Sequence, residues 1–172
     1  MALEDDVRVG SCWEFSGGTG HIGIILSETV HISDVTIDYV LPELISAPAV
    51  RKAPQGMVLW GMIEDDNIET LRQSNDPELQ LLLYSSPTHL FPPSILPGHP
   101  LPPSISSSYR HYLRLAEFQF NVTTRPILQS FPILEVVRKH RIPFHVVVLQ
   151  VTSNWGSNST CLYHVGIHGE AL

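Results

Sequence analysis

Apolar residues along this chain recur mostly at alternate positions in short runs, the period of half-buried strands rather than of helices. The clearest run is Val35-Thr36-Ile37-Asp38-Tyr39-Val40, which sets Val35, Ile37 and Tyr39 on one face and Thr36 and Asp38 on the other. Residues 21–26, rich in isoleucine, predict a strand after the turn Gly17-Gly18-Thr19-Gly20. Residues 56–62 predict another, closed by the acidic turn Glu64-Asp65-Asp66. Strand patterns resume over 109–120 and 127–137, and the apolar run 143–151 predicts a strand buried on both faces. Near the C-terminus Asn154, Gly156, Ser157, Asn158 and Ser159 form a turn around Trp155. A final strand opens at Cys161, with Tyr163, Val165 and Ile167 pointing one way and His164, Gly166 and His168 the other. Short strands, few helices and frequent turn residues predict an all-β fold, an antiparallel β-sandwich of two sheets.

Two stretches break the alternation. Residues 41–54 hold three prolines and read as a long loop. Residues 67–108 change character: a short helix fits after Asn67, and 87–103 is crowded with proline beside His89, Phe91, His99 and serines. Proline lacks the N–H that a sheet needs, so such a segment tends to polyproline II or disorder. The chain is read as a single domain, 1–172, carrying 67–108 as a Pro-rich insertion, partly disordered or a surface loop; loop-closure entropy rises slowly with length, so it is tolerated.

Composition removes several classes of function. A length of 172 residues with 43% hydrophobic content can bury a real core, and the net charge of −7 argues against nonspecific nucleic-acid binding. The one basic cluster, Arg138-Lys139-His140-Arg141, reads as a solvated turn between strands. No apolar run approaches membrane-spanning length and no signal peptide opens the chain. Nine histidines and seventeen acidic residues invite a search for catalysis. His164 and His168 share a strand face without a second metal-ligand pair, and His31-Ile32-Ser33-Asp34 has the residue types of a triad without a nucleophile elbow. Gly17-Gly18-Thr19-Gly20 lacks the following helix of a phosphate loop. An enzyme is not expected.

Cys12 and Cys161 permit one intramolecular bridge, and their spacing leaves bridge and free thiols equally open. Asn121-Val122-Thr123 and Asn158-Ser159-Thr160 are N-glycosylation sequons, placing candidate acceptors at Asn121 and Asn158.

An ordered series of motifs carries a resemblance: Gly10-Ser11-Cys12-Trp13-Glu14-Phe15, Thr36-Ile37-Asp38-Tyr39-Val40, Ala53-Pro54 leading to Met57-Val58-Leu59-Trp60-Gly61, Asn154-Trp155-Gly156, Thr160-Cys161-Leu162-Tyr163, Val165 and His168-Gly169-Glu170. Together they resemble the SUN domain (Sad1/UNC-84-like), over roughly residues 1–66 and 109–170. SUN domains are the luminal, perinuclear-space domains of inner-nuclear-membrane proteins that grip the C-terminal peptides of KASH proteins, linking nucleus to cytoskeleton. The resemblance implies a jelly-roll-like, galactose-binding-like sandwich, and it turns the open cysteine question toward a Cys12–Cys161 disulfide. It also implies a homotrimer in the full-length protein, joined to the membrane only through a segment upstream of this chain.

The family's peptide site receives the terminal carboxylate of a proline-rich tail. The matching residues are Tyr163; Tyr39, where many members have histidine; Ser159, where a tyrosine is usual; and Lys52, ahead of Ala53-Pro54 where a serine is usual, unless Ser46-Ala47-Pro48 is the true match. Lys52 would supply a charge-assisted contact to the carboxylate and Tyr163 a phenolic donor. A structural monovalent cation, K+, is expected in the loop before Cys12, around Met1, Glu4, Asp6 and Ser11 and adjacent to Tyr163; no other cofactor is expected. The alternative function is a carbohydrate-binding jelly-roll module, since fold alone does not fix function. A lectin should show aromatic platforms on exposed loops, whereas Trp13, Trp60 and Trp155 sit beside core-like segments.

Overall fold

A single 19-residue strand, β2 (Gly20–Asp38), lies near the centre of the larger sheet and organises it. In the computed structural model, which describes residues 8–87 and 109–172, Gly20–Ile25 of this strand pair with β7 (Phe144–Val151). The register then shifts between Ile25 and Val30, across the polar run Ser27-Glu28-Thr29. Beyond it, Val30–Asp38 pair with β9 (His164–Ala171) on one side, and Asp34–Ile37 pair with β6 (Gln129–Pro132) on the other. The two strands that alternation predicts over 21–26 and 35–40 are therefore two halves of one strand. An irregularity, not a reversal, separates the half paired mainly with β7 from the half paired with β6 and β9.

The larger layer continues from β7 through β3 (Gly56–Ile63) and β5 (Tyr109–Gln119) to β4 (Leu83–Pro87) at its edge. A two-stranded ribbon, β1 (Trp13–Ser16) with β8 (Ser159–Leu162), completes the sandwich. Every pairing is antiparallel, so the expected all-β sandwich is the fold observed. Val35, Ile37 and Tyr39 point into the main core with Leu59, Leu115, Phe120 and Leu149, as alternation requires. Val148 of β7 packs instead with Val58, Trp60 and Tyr112 in a second cluster, which is why residues 143–151 read as apolar throughout.

Helices account for the differences from the sequence reading. Glu64-Asp65-Asp66 is not a closing turn; Asp65 and Asp66 open α2 (Asp65–Arg72), where carboxylates suit the helix N-terminus. Asp76 caps α3 (Pro77–Leu81), its Oδ1 accepting from the N–H groups of Glu78 and Leu79. Ile68, Leu71, Leu79, Leu82 and Leu83 are all buried in the main core. The segment set apart as an insertion thus contributes two helices and an edge strand as far as Pro87; its remainder, 88–108, lies outside the described residues. The long loop of 41–54 contains a 3₁₀ turn (Pro42–Leu44) and the short α1 (Ala47–Val50). After β6, α4 (Glu135–His140) replaces the rest of the strand expected over 127–137. The basic cluster forms the last turn of that helix, with Arg141 in the left-handed region at φ 45, so its cations face the carbonyl end of the helix. The last expected strand is also divided, since β8 stops at Leu162 and β9 begins at His164.

Candidate functional site

The site grows out of the β1–β8 ribbon. Its register places Trp13 opposite Leu162, Glu14 opposite Cys161 and Ser16 opposite Ser159. Cys12 and Cys161 form the disulfide, with Cα atoms 5.5 Å apart. The segment after α1 is stitched to the same region: Cys161 N–H donates to the Lys52 carbonyl at 2.8 Å, Trp155 N–H to that of Ala53 at 3.2 Å, and Gln55 N–H to that of Ser153 at 2.8 Å. Asn154 holds the intervening turn. Its amide donates to the carbonyls of Ser157 and Ser159 and to the Thr160 hydroxyl, while its oxygen accepts from the N–H groups of Gly156 and Ser157. Gly156 sits at φ 97, a conformation that favours glycine, which gives Asn154-Trp155-Gly156 a physical reason.

Four residues expected to touch a peptide fall on this frame in two pairs, Lys52 with Ser159 and Tyr39 with Tyr163. Lys52 Nζ donates to Glu14 Oε1 at 2.7 Å, and Ser159 Oγ donates to the same oxygen at 2.8 Å. These bonds, Lys52 first, hold the Glu14 carboxyl below its usual range. Tyr39, just past the end of β2, is buried edge-on against Tyr163, with ring centroids 4.7 Å apart and an interplanar angle of 81°. The Tyr39 hydroxyl has no hydrogen-bond partner among the described residues. Burial, then the charges of Tyr163 and Glu14, push its pKa well above the usual phenol value, so it stays a protonated donor. The Tyr163 oxygen accepts from Gly10 N–H at 3.2 Å. The phenol therefore stands beside the loop that precedes Cys12.

Glu14 is the member of this group that sequence analysis did not pick out. Alternation puts it on the face of Cys12, but its meeting with Ser159 depends on the register of β1 against β8, which no local pattern reveals. Its presence also alters the expected role of Lys52, whose ammonium is engaged by Glu14. The competing match, Ser46, is exposed and caps α1, its hydroxyl accepting from Ala49 N–H at 3.4 Å. Of the two, Lys52 is the one bonded to Glu14.

The expected cation ligands Glu4 and Asp6 lie outside the described residues, as does Met1. Of that set Ser11 is described; it is exposed, and its N–H bonds the Arg8 carbonyl at 3.0 Å in a turn with Gly10 at φ 87. Among the described residues, no three His, Cys, Asp or Glu side chains gather as metal ligands. Ser33 donates directly to Asp34 at 2.6 Å, and Ser130 donates to its other oxygen at 2.8 Å. His168 meets Thr36 Oγ1 at 2.9 Å. Ser33 is thus bonded to the carboxylate that a triad would direct to the histidine.

Both sequon asparagines are exposed. Asn121 Oδ1 accepts from the N–H and hydroxyl of Thr123, at 3.0 and 2.7 Å. At the other sequon Thr160 is fully buried, its hydroxyl donating to the Gly17 carbonyl at 2.8 Å. The tryptophans are committed to packing: Trp60 is buried and donates to Gln150 at 3.0 Å, while Trp13 lies 4.7 Å from the Phe15 ring and Trp155 packs on the core. A separate cleft of about 650 Å³ runs between α4, β2 and β9, lined in part by His31, Lys139 and His168. Two of its cations are already paired, Arg138 with Glu135 at 2.7 Å and Arg141 with Glu170 at 3.0 Å.

An antiparallel β-sandwich closed by a terminal-to-terminal disulfide, with a tyrosine pair and a shared carboxylate beside it, defines an all-β disulfide-tied domain class. Within that class, the family model described as Sad1 / UNC-like C-terminal matches residues 1–77 and 104–171, and the chain belongs to this family, the SUN domains. Relatives include SUN domain-containing protein 5 of Homo sapiens, 24% identical over 170 residues that cover 98% of this chain and 32% of that protein. SUN domain-containing protein 1 of Homo sapiens is 23% identical over 173 residues, covering 100% of this chain and 16% of that protein. The nuclear migration and anchoring protein unc-84 of Caenorhabditis elegans is 22% identical over 165 residues, covering 95% and 11%. The chain spans about a third or less of the length of these relatives. A solved SusE-like protein superposes with a TM-score of 0.52 at 10% identity over 98% of this chain and 81% of that one, a likeness of fold alone.

Proposed function

We propose that this chain is a SUN-type interaction module that binds the C-terminal peptide of a KASH protein on the perinuclear side of the inner nuclear membrane. The observation that carries the reading is that two pairs, Lys52 with Ser159 on Glu14 and Tyr39 with Tyr163, both lie at the disulfide-tied end of β8. Those residues come from three separate parts of the chain, Ser159 and Tyr163 sharing one, and include three kinds of hydrogen-bond donor, the groups a terminal carboxylate needs. Membership of the SUN-domain family and relatives named for nuclear migration and anchoring support it. A disulfide and two exposed sequon asparagines suit an oxidising, luminal compartment. The role is recognition, not catalysis, and the full-length protein would act as a homotrimer. A monovalent cation held by residues 1–11 belongs to the same reading, with Tyr163 beside that loop.

Fluorescence anisotropy with a labelled KASH C-terminal peptide tests it. Saturable binding of the free-acid form, weakened when the C-terminus is amidated, is the expected result. Equal binding of both forms would remove the carboxylate site, and saturable binding on a glycan array with none to peptide would replace the reading by a carbohydrate-binding one.

A further inference from the structure

Glu14 accepts from Lys52 and Ser159 through one oxygen, and these are two of the donors assigned above to the peptide's terminal carboxylate. We infer that Glu14 is a built-in competitor for that carboxylate, so that a peptide terminus binds by displacing Glu14 from Lys52 and Ser159. The inference rests on the peptide-binding reading above and deepens it by naming the residue that sets the affinity of the site.

Two ionised carboxylates have acceptors only. They cannot hydrogen-bond each other, and at the same donors they repel. Ser159 has one O–H, so a terminus that takes its bond must displace Glu14 there; Lys52 has further N–H donors, but at its single cation the two carboxylates compete and repel. The exchange requires no opening of the core, because the Lys52 and Glu14 side chains are 34% and 48% exposed. Glu14 stays anionic at rest, held so by the same two bonds. The remaining polar groups of the patch are anchored differently: Tyr163 is bonded to Gly10 and Tyr39 is buried. Lys52 and Ser159 are thus the exchangeable part and the tyrosines the fixed part. A carboxylate on the protein lowers affinity for a free-acid peptide while leaving a peptide amide, which brings no charge, nearly unaffected.

The test measures anisotropy of a KASH C-terminal peptide, as free acid and as amide, against the 172-residue chain, Glu14→Gln, Glu14→Ala and the double variant Glu14→Ala/Lys52→Met. Glu14→Ala is expected to bind the free acid at least about tenfold more tightly than wild type, the exchange no longer breaking a charge-assisted bond. Glu14→Gln, which keeps an acceptor but no charge, is expected to fall between them. The amide should bind all forms alike, and the gain should vanish in the double variant. Melting curves confirm that these surface variants remain folded. Free-acid binding to wild type with no gain in Glu14→Ala, or a gain that survives loss of Lys52, overturns the role of Glu14 and leaves the peptide reading standing. Absence of peptide binding to wild type and to every variant overturns both.

Discussion

Tyr163 joins two neighbours through different parts of its side chain, the hydroxyl to Gly10 N–H and the ring to Tyr39. Tyr163→Phe removes the first and keeps the second, so packing should survive. Peptide affinity is expected to fall by roughly 1.5–3 kcal/mol, the value of a charge-assisted hydrogen bond. Amidating the peptide should weaken binding less in the variant than in wild type, because one of the interactions it breaks is already gone; calorimetry showing full additivity would dissociate Tyr163 from the carboxylate. His111 carries a prediction about pH. It is buried, bonded through Nδ1 to Ser85 Oγ at 2.8 Å, with no partner for Nε2 among the described residues. Burial, then the charge of Arg72, hold its pKa below the usual 6.5, with Asp65 opposing. The unfolded chain therefore takes up a proton near pH 6.5 that the folded chain resists. Stability is whole above that pH and falls as pH drops from 6.5 toward the folded value. Denaturation midpoints should be lower at acid pH, with a shallower slope in His111→Gln; His21, lowered by burial too, keeps the slope from vanishing. Of these residues, Tyr39 and Tyr163 were legible because they stand in recognisable motifs. Glu14 was not, since its partner Ser159 lies 145 positions away and only strand register brings them together.

Elements were legible where burial follows one local period. Gly56–Ile63, Tyr109–Gln119 and Phe144–Val151 match their sequence patterns closely because each packs in the larger sheet along its whole length. β2 shows in the sequence only as two separate runs because regular alternation lapses between them; sheet pairing on both sides of the irregularity makes it one strand. α2 and α3 leave only the trace of one short helix in the sequence because each is short, their helical content being set by Ile68, Leu71 and Leu79 packing in the main core rather than by intrinsic propensity. The edge hairpin adds a prediction about the Pro-rich stretch. Pro87 pairs directly with Tyr109, so the two residues that flank 88–108 sit opposite each other across β4 and β5. A two-residue Asn-Gly turn has the geometry to join such a pair. Replacing 88–108 by Asn-Gly should leave a cooperative melt near the wild-type temperature. A fall of more than about 10 °C, roughly 3 kcal/mol or more at this size, would show that the stretch stabilises the sandwich.

At the scale of the whole molecule, the two ends of the domain are joined three times over: by the β1–β8 ribbon, by the hydrogen bonds of residues 52–55 to residues 153–161, and by the disulfide. The sandwich itself was legible from strand-length alternation and turn spacing. The bridge was not legible from spacing, which left the thiols open, and needed the family resemblance to favour pairing. Its location lets the proposed peptide site be both exposed and fixed: Glu14 lies directly across the ribbon from Cys161, and Tyr163 follows two residues later. Closing a loop over a sequence separation of 149 removes much of the unfolded chain's freedom, and the chain-entropy model assigns about 5 kcal/mol to it. The ribbon is short, four residues on each strand, so without the bridge the local structure at Glu14 and Ser159 depends on few backbone bonds. Cys12→Ala/Cys161→Ala is therefore expected to lose up to about 5 kcal/mol in urea unfolding. It should also weaken peptide binding even where the chain remains folded, because donors held by the ribbon become mobile. Full stability in the double variant would show that the main sandwich alone holds the termini. Reduced stability with unchanged peptide affinity would show that the ribbon keeps its register without the bridge, and would place the bridge's contribution in the unfolded state alone.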